Sequence, residues 1–194
     1  MKNRLYRAAG LVTAMLLTSV APPPVRAAKV ADGTVNFTGE MLGAATCTLE
    51  NHSLTADFGT INVDRKGPIP AVLGDPQPVA FRFTGCATNI QKVNMTVDFN
   101  FALSDDSLIF NEGAAGNVAG VLTCPTEAPA QGVNCTAGDR FSSGETVSGT
   151  VTNGGVSFPL EVSLVSYDGF DPSSPHMPGA GSINMTVRFT FEEE

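Results

Sequence analysis

Four cysteines are the residues of this 194-residue chain best suited to covalent chemistry. Cys47, Cys86, Cys124 and Cys135 match no zinc-ligand spacing, and the two histidines, His52 and His176, are unpaired. In an exported chain four thiols oxidise to two disulfides, and three pairings are open to them. Cys124 and Cys135 are close in sequence and flank a Pro-containing loop, which favours a local bridge and leaves Cys47 for Cys86. In the chain-entropy account the local and the longer bridge contribute roughly 3 and 4 kcal/mol.

Acid-base and nucleophilic chemistry find little to build on. A Ser-His-Asp arrangement needs a histidine held by a carboxylate and facing a nucleophile, and both histidines sit in polar, loop-like stretches without such a motif. Asp105-Asp106, Asp168 and Asp171 read as turn residues or solvated acids rather than as a general acid/base pair. No enzyme, cofactor or metal is expected.

The first residues read as an export address. Lys2, Arg4 and Arg7 precede an apolar stretch from Ala8 to Val20, a Pro-rich break follows at Pro22 to Pro24, and Val25-Arg26-Ala27 completes a cleavage pattern. Residues 1–27 are therefore expected to be a signal peptide cleaved after Ala27. The apolar core is shorter than the roughly 20 residues that span a bilayer, so no membrane insertion is expected after cleavage. Cleavage removes four of the eleven basic residues and none of the nineteen acidic ones, taking the formal charge from −8 to −12. Such a surface repels nucleic acid and anionic lipid, and neither is expected as a partner.

The elements that carry these residues are strands. Val93, Met95, Val97, Phe99, Phe101 and Leu103 alternate with small or polar residues, as do Val79, Phe81 and Phe83, and then Phe158, Leu160, Val162 and Leu164. Pro159 cannot donate to a ladder, so its strand is expected to begin there or to lie at an edge. Near the chain end Ile183, Met185, Val187, Phe189 and Phe191 alternate with polar residues without exception. Gly67-Pro68, Gly74-Asp75-Pro76, Gly113 to Gly116, Asn153-Gly154-Gly155 and Asp171 to Gly181 read as turns, and Cys124 to Thr152 as a polar loop pinned by its own disulfide. Many short strands without helical periodicity argue for a one-domain β-sandwich. After Ala27, Ala31, Gly33, Val35 and Phe37 share one face of a further strand, which on periodicity alone is an ordinary first strand of the sandwich.

These segments together resemble a family. GTVNFTGEMLGAATC (residues 33–47), DFGTINV (57–63), PVAFRFTGC (78–86), GVSFPLEVSLVSY (155–167) and PGAGSINMTVRFTF (178–191) are similar, in order and spacing, to subunits of chaperone–usher fimbriae, close to the type 1 major pilins. The resemblance implies an all-β, incomplete immunoglobulin-like sandwich (39–194) preceded by an N-terminal donor-strand extension (28–38). It implies a structural subunit that supports cell adhesion, exported through the periplasm to the surface fimbrium. Its expected partners are a periplasmic chaperone, an outer-membrane usher and neighbouring fimbrial subunits. In that scheme Ala31, Gly33, Val35 and Phe37 face the next subunit's groove, a mode known as β-augmentation. Ile183, Met185, Val187, Phe189 and Phe191 build this subunit's own groove and its chaperone contact. The alternative is a minor, adaptor or terminator subunit with a receptor-binding role.

Two departures from the family pattern stand out. Phe191 takes the place of the usual penultimate tyrosine and is followed by Glu192, Glu193 and Glu194, which read as a solvated terminus. Cys124 and Cys135 have no counterpart in the simplest pilins; they read as a stapled surface loop or, more sharply, as a receptor-binding or antigenic loop.

Overall fold

A period-two pattern can bury only one face of a strand, so the alternating segments must pair face to face. The computed structural model describes residues 29–42, 46–62, 72–102, 105–126, 132–167 and 178–194, and among these none is helical. The strands are β1 (Lys29–Met41), β2 (Thr48–Leu49), β3 (Ser53–Asn62), β4 (Val72–Thr84), β5 (Lys92–Phe99) and β6 (Phe101–Ala102). They continue with β7 (Asp105–Phe110), β8 (Val118–Thr123), β9 (Thr146–Thr150), β10 (Val156–Ser166) and β11 (Gly181–Glu193). One sheet runs β3-β1-β11-β5-β9 and the other β2-β4-β10-β8-β7-β6. Every pairing is antiparallel except that of β1 with β11, which is parallel.

The core lies between the sheets. Val93, Met95 and Val97 of β5, with Val187, Phe189 and Phe191 of β11, meet Phe81 and Phe83 of β4 and Phe158, Leu160 and Val162 of β10. Phe81, Phe83, Phe158, Phe189 and Phe191 are all buried and form one aromatic cluster across the interface.

Four expectations from the sequence are corrected. The run that reads as one strand to Leu103 changes sheet at Asn100: β5 ends at Phe99, and β6 belongs to the opposite sheet. The change reverses the faces, leaving Phe101 49% exposed and Ala102 buried; Leu103 lies outside the described residues. Gly74-Asp75-Pro76 is not a turn, because β4 passes through it with a bulge opposite Val162 and Leu164, where Gly74 takes φ +75. Pro159 neither begins a strand nor sits in an edge strand. It lies inside β10 between β4 and β8, but β8 joins only from Glu161 onward, so the missing N–H falls where β10 has a neighbour on one side only. Finally, the stretch from Cys124 to Thr152 contains β9, which the single large side chain Val147 marks too faintly for periodicity to reveal.

The Asn153-Gly154 turn is as expected. Both residues have positive φ (55 and 75), and Thr152 and Gly155 exchange backbone hydrogen bonds across them.

Candidate functional site

The site is the seam between β1 and β11. Gly33 lies opposite Ile183, Val35 opposite Met185, Phe37 opposite Val187, Gly39 opposite Phe189 and Met41 opposite Phe191. On its other side β1 pairs with β3, setting Val35 against Ala56 and Phe37 against Leu54. Val35 and Phe37 are fully buried, as are Met185, Val187, Phe189 and Phe191, with Ile183 nearly so. Burying Val35 and Phe37 contributes about 1.5–3 kcal/mol each. Ala31 pairs with Gly181 through its backbone.

Shape governs the seam as much as hydrophobicity does. A Cβ on Gly33 would collide with the Ile183 side chain, and one on Gly39 would lie 2.9 Å from the rings of both Phe81 and Phe191. Between these two small residues Phe37 packs on Phe189 with ring centroids 6.0 Å apart. Phe191 is surrounded by Phe83 at 4.7 Å, Phe81 at 5.2 Å and Phe158 at 5.8 Å. The ring in place of tyrosine is thus fully buried against other rings.

Glu40 of β1 and Arg188 of β11 are exposed. Arg188 and Asp98 approach to 3.9 Å on the solvent face, each roughly two-thirds exposed, and such a pair contributes about 0–1 kcal/mol. Glu192 and Glu194 are exposed, as a solvated terminus would be, but Glu193 is half-buried and departs from that reading. The Glu193 carboxylate accepts hydrogen bonds from the Thr46 N–H (2.7 Å), the Thr46 hydroxyl (2.9 Å) and the Cys47 N–H. The Glu194 carbonyl accepts from the N–H groups of Gln91 and Lys92, both at 2.9 Å. A carboxylate set among backbone donors ties the end of β11 to the stretch that follows β1.

The bridges are Cys47–Cys86 and Cys124–Cys135, the pairing that chain proximity favours. The first lies beside the Glu193 contacts. The second stands away from the seam, on the β9 side. There Asn134 N–H donates to Ser148 O (2.8 Å) and Thr150 N–H to Gly132 O (2.8 Å), so residues 132–134 cover the outer edge of β9. On the opposite sheet Cys124 N–H donates to Asp139 O and Phe141 N–H to Leu122 O, binding the same excursion to β8.

His52 is exposed, and its carbonyl accepts from Gly39 N–H at 3.0 Å. His176, Asp168 and Asp171 lie outside the described residues. Asp105 caps its own turn through Ser107, and Asp106 accepts from the Ser142 hydroxyl at 3.1 Å. Among the described residues no group of three His, Cys, Asp or Glu could hold a metal ion.

Asn111 belongs to the site although its sequence position gave it no role. It is 7% exposed and holds β11 from the side opposite β1. β5 reaches β11 only from Val187 to Glu193, and before that the ladder groups of β11 are met by the loop after β7. The Asn111 Oδ1 accepts from Asn184 N–H (2.9 Å) and from Gly113 N–H (3.0 Å), while Nδ2 donates to Ala115 O (2.7 Å) and Ser182 O (3.4 Å). The available signal was the Asn-x-Gly spacing of Asn111 and Gly113, which closes an Asx turn.

The two sheets and the seam define an immunoglobulin-like sandwich of the pilin-subunit kind. Among solved structures the chain is similar to the P pilus rod subunit PapA, at TM-score 0.53 and 12% identity over 77% of this chain and 100% of that one. It also aligns with a chaperone–usher pilus structure (TM-score 0.49, 10% identity, 79% and 90% covered). A third alignment is with the CupB6 tip adhesin of Pseudomonas aeruginosa (TM-score 0.49, 9% identity, 85% of this chain and 41% of that one). No protein-family model and no curated protein sequence matches the chain.

Proposed function

We propose that this chain is an exported structural subunit of a chaperone–usher fimbria, close to the type 1 major pilins, that polymerises by exchanging its N-terminal extension, the first part of β1, between copies. On this reading residues 1–27 are removed as a signal peptide, residues 28–38 are the donor segment and residues 39–194 the receiving domain. A periplasmic chaperone and an outer-membrane usher handle the subunit on its way to the surface, where the fibre supports adhesion. It is not an enzyme.

The observation that carries the reading is the place of β1. It fills the middle of a sheet, between β3 and β11, yet once residues 1–27 are gone it is joined to the domain only through Met41. Such a strand can leave and be replaced by the same segment of another copy without cutting or rethreading the chain. Its departure would expose unpaired ladder groups and an apolar trench floored by Ile183, Met185, Val187, Phe189 and Phe191, which an isolated molecule cannot leave open. The likeness of the fold to a pilus rod subunit supports the same reading.

Electrophoresis of surface fibres in SDS, with and without prior heating in denaturant, tests it. A ladder of resistant multimers that collapses to one band is expected; a protein found solely as a periplasmic monomer overturns it.

A further inference from the structure

We propose that Asn111 is a positioning residue that keeps the first part of β11 in strand form when β1 is absent, so that the end of the groove that takes Gly33 stays open to an incoming strand. This rests on the strand-exchange reading above.

The N–H and C=O groups of a strand point alternately to its two sides, so Ile183 turns its pair toward β1 while Ser182 and Asn184 turn theirs the other way. From Val187 onward that other side is occupied by β5, but at Ser182 and Asn184 it is not. Three bonds close the gap: Ala115 N–H to Ser182 O (3.0 Å), Glu112 N–H to Asn184 O (2.9 Å) and Asn184 N–H to the Asn111 Oδ1 (2.9 Å). The Asn111 carboxamide also donates to Ser182 O, so one side chain presents an acceptor and a donor to β11 as a peptide group of a neighbouring strand would. Its remaining bonds, to Gly113 N–H and Ala115 O, fix the loop that supplies the other donors.

Space is as tightly set as polarity. A Cβ on Gly113 would run into the backbone of Ser182, and one on Gly181 into the backbone of Ala114 and Ala115. The loop and the strand therefore touch backbone to backbone, with Asn111 buried behind them. None of these contacts involves β1. When β1 leaves, β11 loses one neighbour from Gly181 to Phe191 but keeps the other along its length: β5 at the far end and the Asn111 loop at the near end. Ile183, which sets the depth of the groove opposite Gly33, then keeps its place.

The test is uptake of a labelled peptide with the sequence of residues 29–41 by the full chain, in urea below the unfolding transition. Backbone amide exchange at Asn184 is read in parallel. Asn111→Ala removes an acceptor and a donor from a buried ladder, and peptide uptake is expected to slow about tenfold or more, with a comparable rise in exchange at Asn184. Val147→Ala, in β9 on the far edge of the same sheet, serves as the control for general destabilisation and should leave both readouts near those of the parent. Asn111→Asp keeps the acceptor for Asn184 and should restore part of the protection at that amide. Equal slowing in Asn111→Ala and Val147→Ala, with unchanged exchange at Asn184, overturns the proposal. Failure of the unsubstituted chain to take up the peptide even at millimolar concentration, where the peptide matches the tethered β1, overturns the strand-exchange reading itself.

Discussion

Gly33 and Ile183 lie directly across from each other in the parallel ladder of β1 and β11, and the Ile183 side chain fills the space that a Cβ on Gly33 would need. The absence of a side chain at one position makes room for a branched one at the other. Gly33→Val should destabilise the folded chain by roughly 1–3 kcal/mol, as overpacking of a closed core does. Gly33→Asp adds an unpaired buried charge and should unseat β1 altogether. Denaturant unfolding measures the first; loss of SDS-resistant multimers from cells measures the second, and normal fibres from Gly33→Asp would sink the donor role of this strand.

Phe37 and Phe189 offer a test by removal. Phe37 is fully buried, and Phe37→Ala should cost roughly 3–5 kcal/mol in a folded chain that seats its own β1. A loss far below that, at unchanged denaturant dependence, would mean that β1 contributes little to the sandwich in solution.

Phe191 is fully buried among the rings of Phe81, Phe83 and Phe158. Phe191→Tyr would bury a hydroxyl in that cluster and should lower stability by about 1–3 kcal/mol. A neutral or stabilising effect would show that the added hydroxyl finds a partner within the fold.

Glu193 binds the amides of Thr46 and Cys47 with its carboxylate. Glu193→Ala leaves those N–H groups to water and should cost roughly 1.5–3 kcal/mol, the worth of hydrogen bonds to a charged acceptor. Faster amide exchange confined to Thr46 and Cys47 would locate the loss; unaffected exchange there would refute the contact.

The Cys124–Cys135 bridge closes an excursion whose residues 132–134 cover the outer edge of β9. Exposed strand edges pair with one another, so Cys124→Ser with Cys135→Ser should bring two effects. Stability should fall by roughly 3 kcal/mol, and concentration-dependent association should appear in sedimentation. A less stable but strictly monomeric variant would restrict the bridge to an entropic role.

What the sequence made legible follows from where its signal is strong. The faces of β11, β10 and the second half of β4 were readable because large apolar and polar residues alternate there, and burial follows that alternation at Ile183 to Phe191. β9 was hidden because Val147 is its only large apolar residue, and the sheet change at Asn100 because the alternation itself continues into Phe101. The contacts of Asn111 with β11 and of Glu193 with Thr46 and Cys47 span 71 to 73 and 146 to 147 residues respectively, and no local pattern encodes a polar bond of such reach. The register of β1 against β11 is likewise a long-range fact: periodicity assigns the inward face of each strand but not the neighbour it meets.

The seating of β1 beside its own β11 also has a concentration attached to it. Cys47 is fixed by its disulfide and by Glu193, so a released β1 remains tied a few residues from the gap it left. A segment on so short a tether meets its own gap at an effective concentration on the order of millimolar. An identical strand from another molecule at micromolar concentration therefore competes at a disadvantage on the order of a thousandfold. On the strand-exchange reading, a free subunit would close on its own β1, and assembly would require an agent that holds the gap open and presents the next strand before the resident one returns.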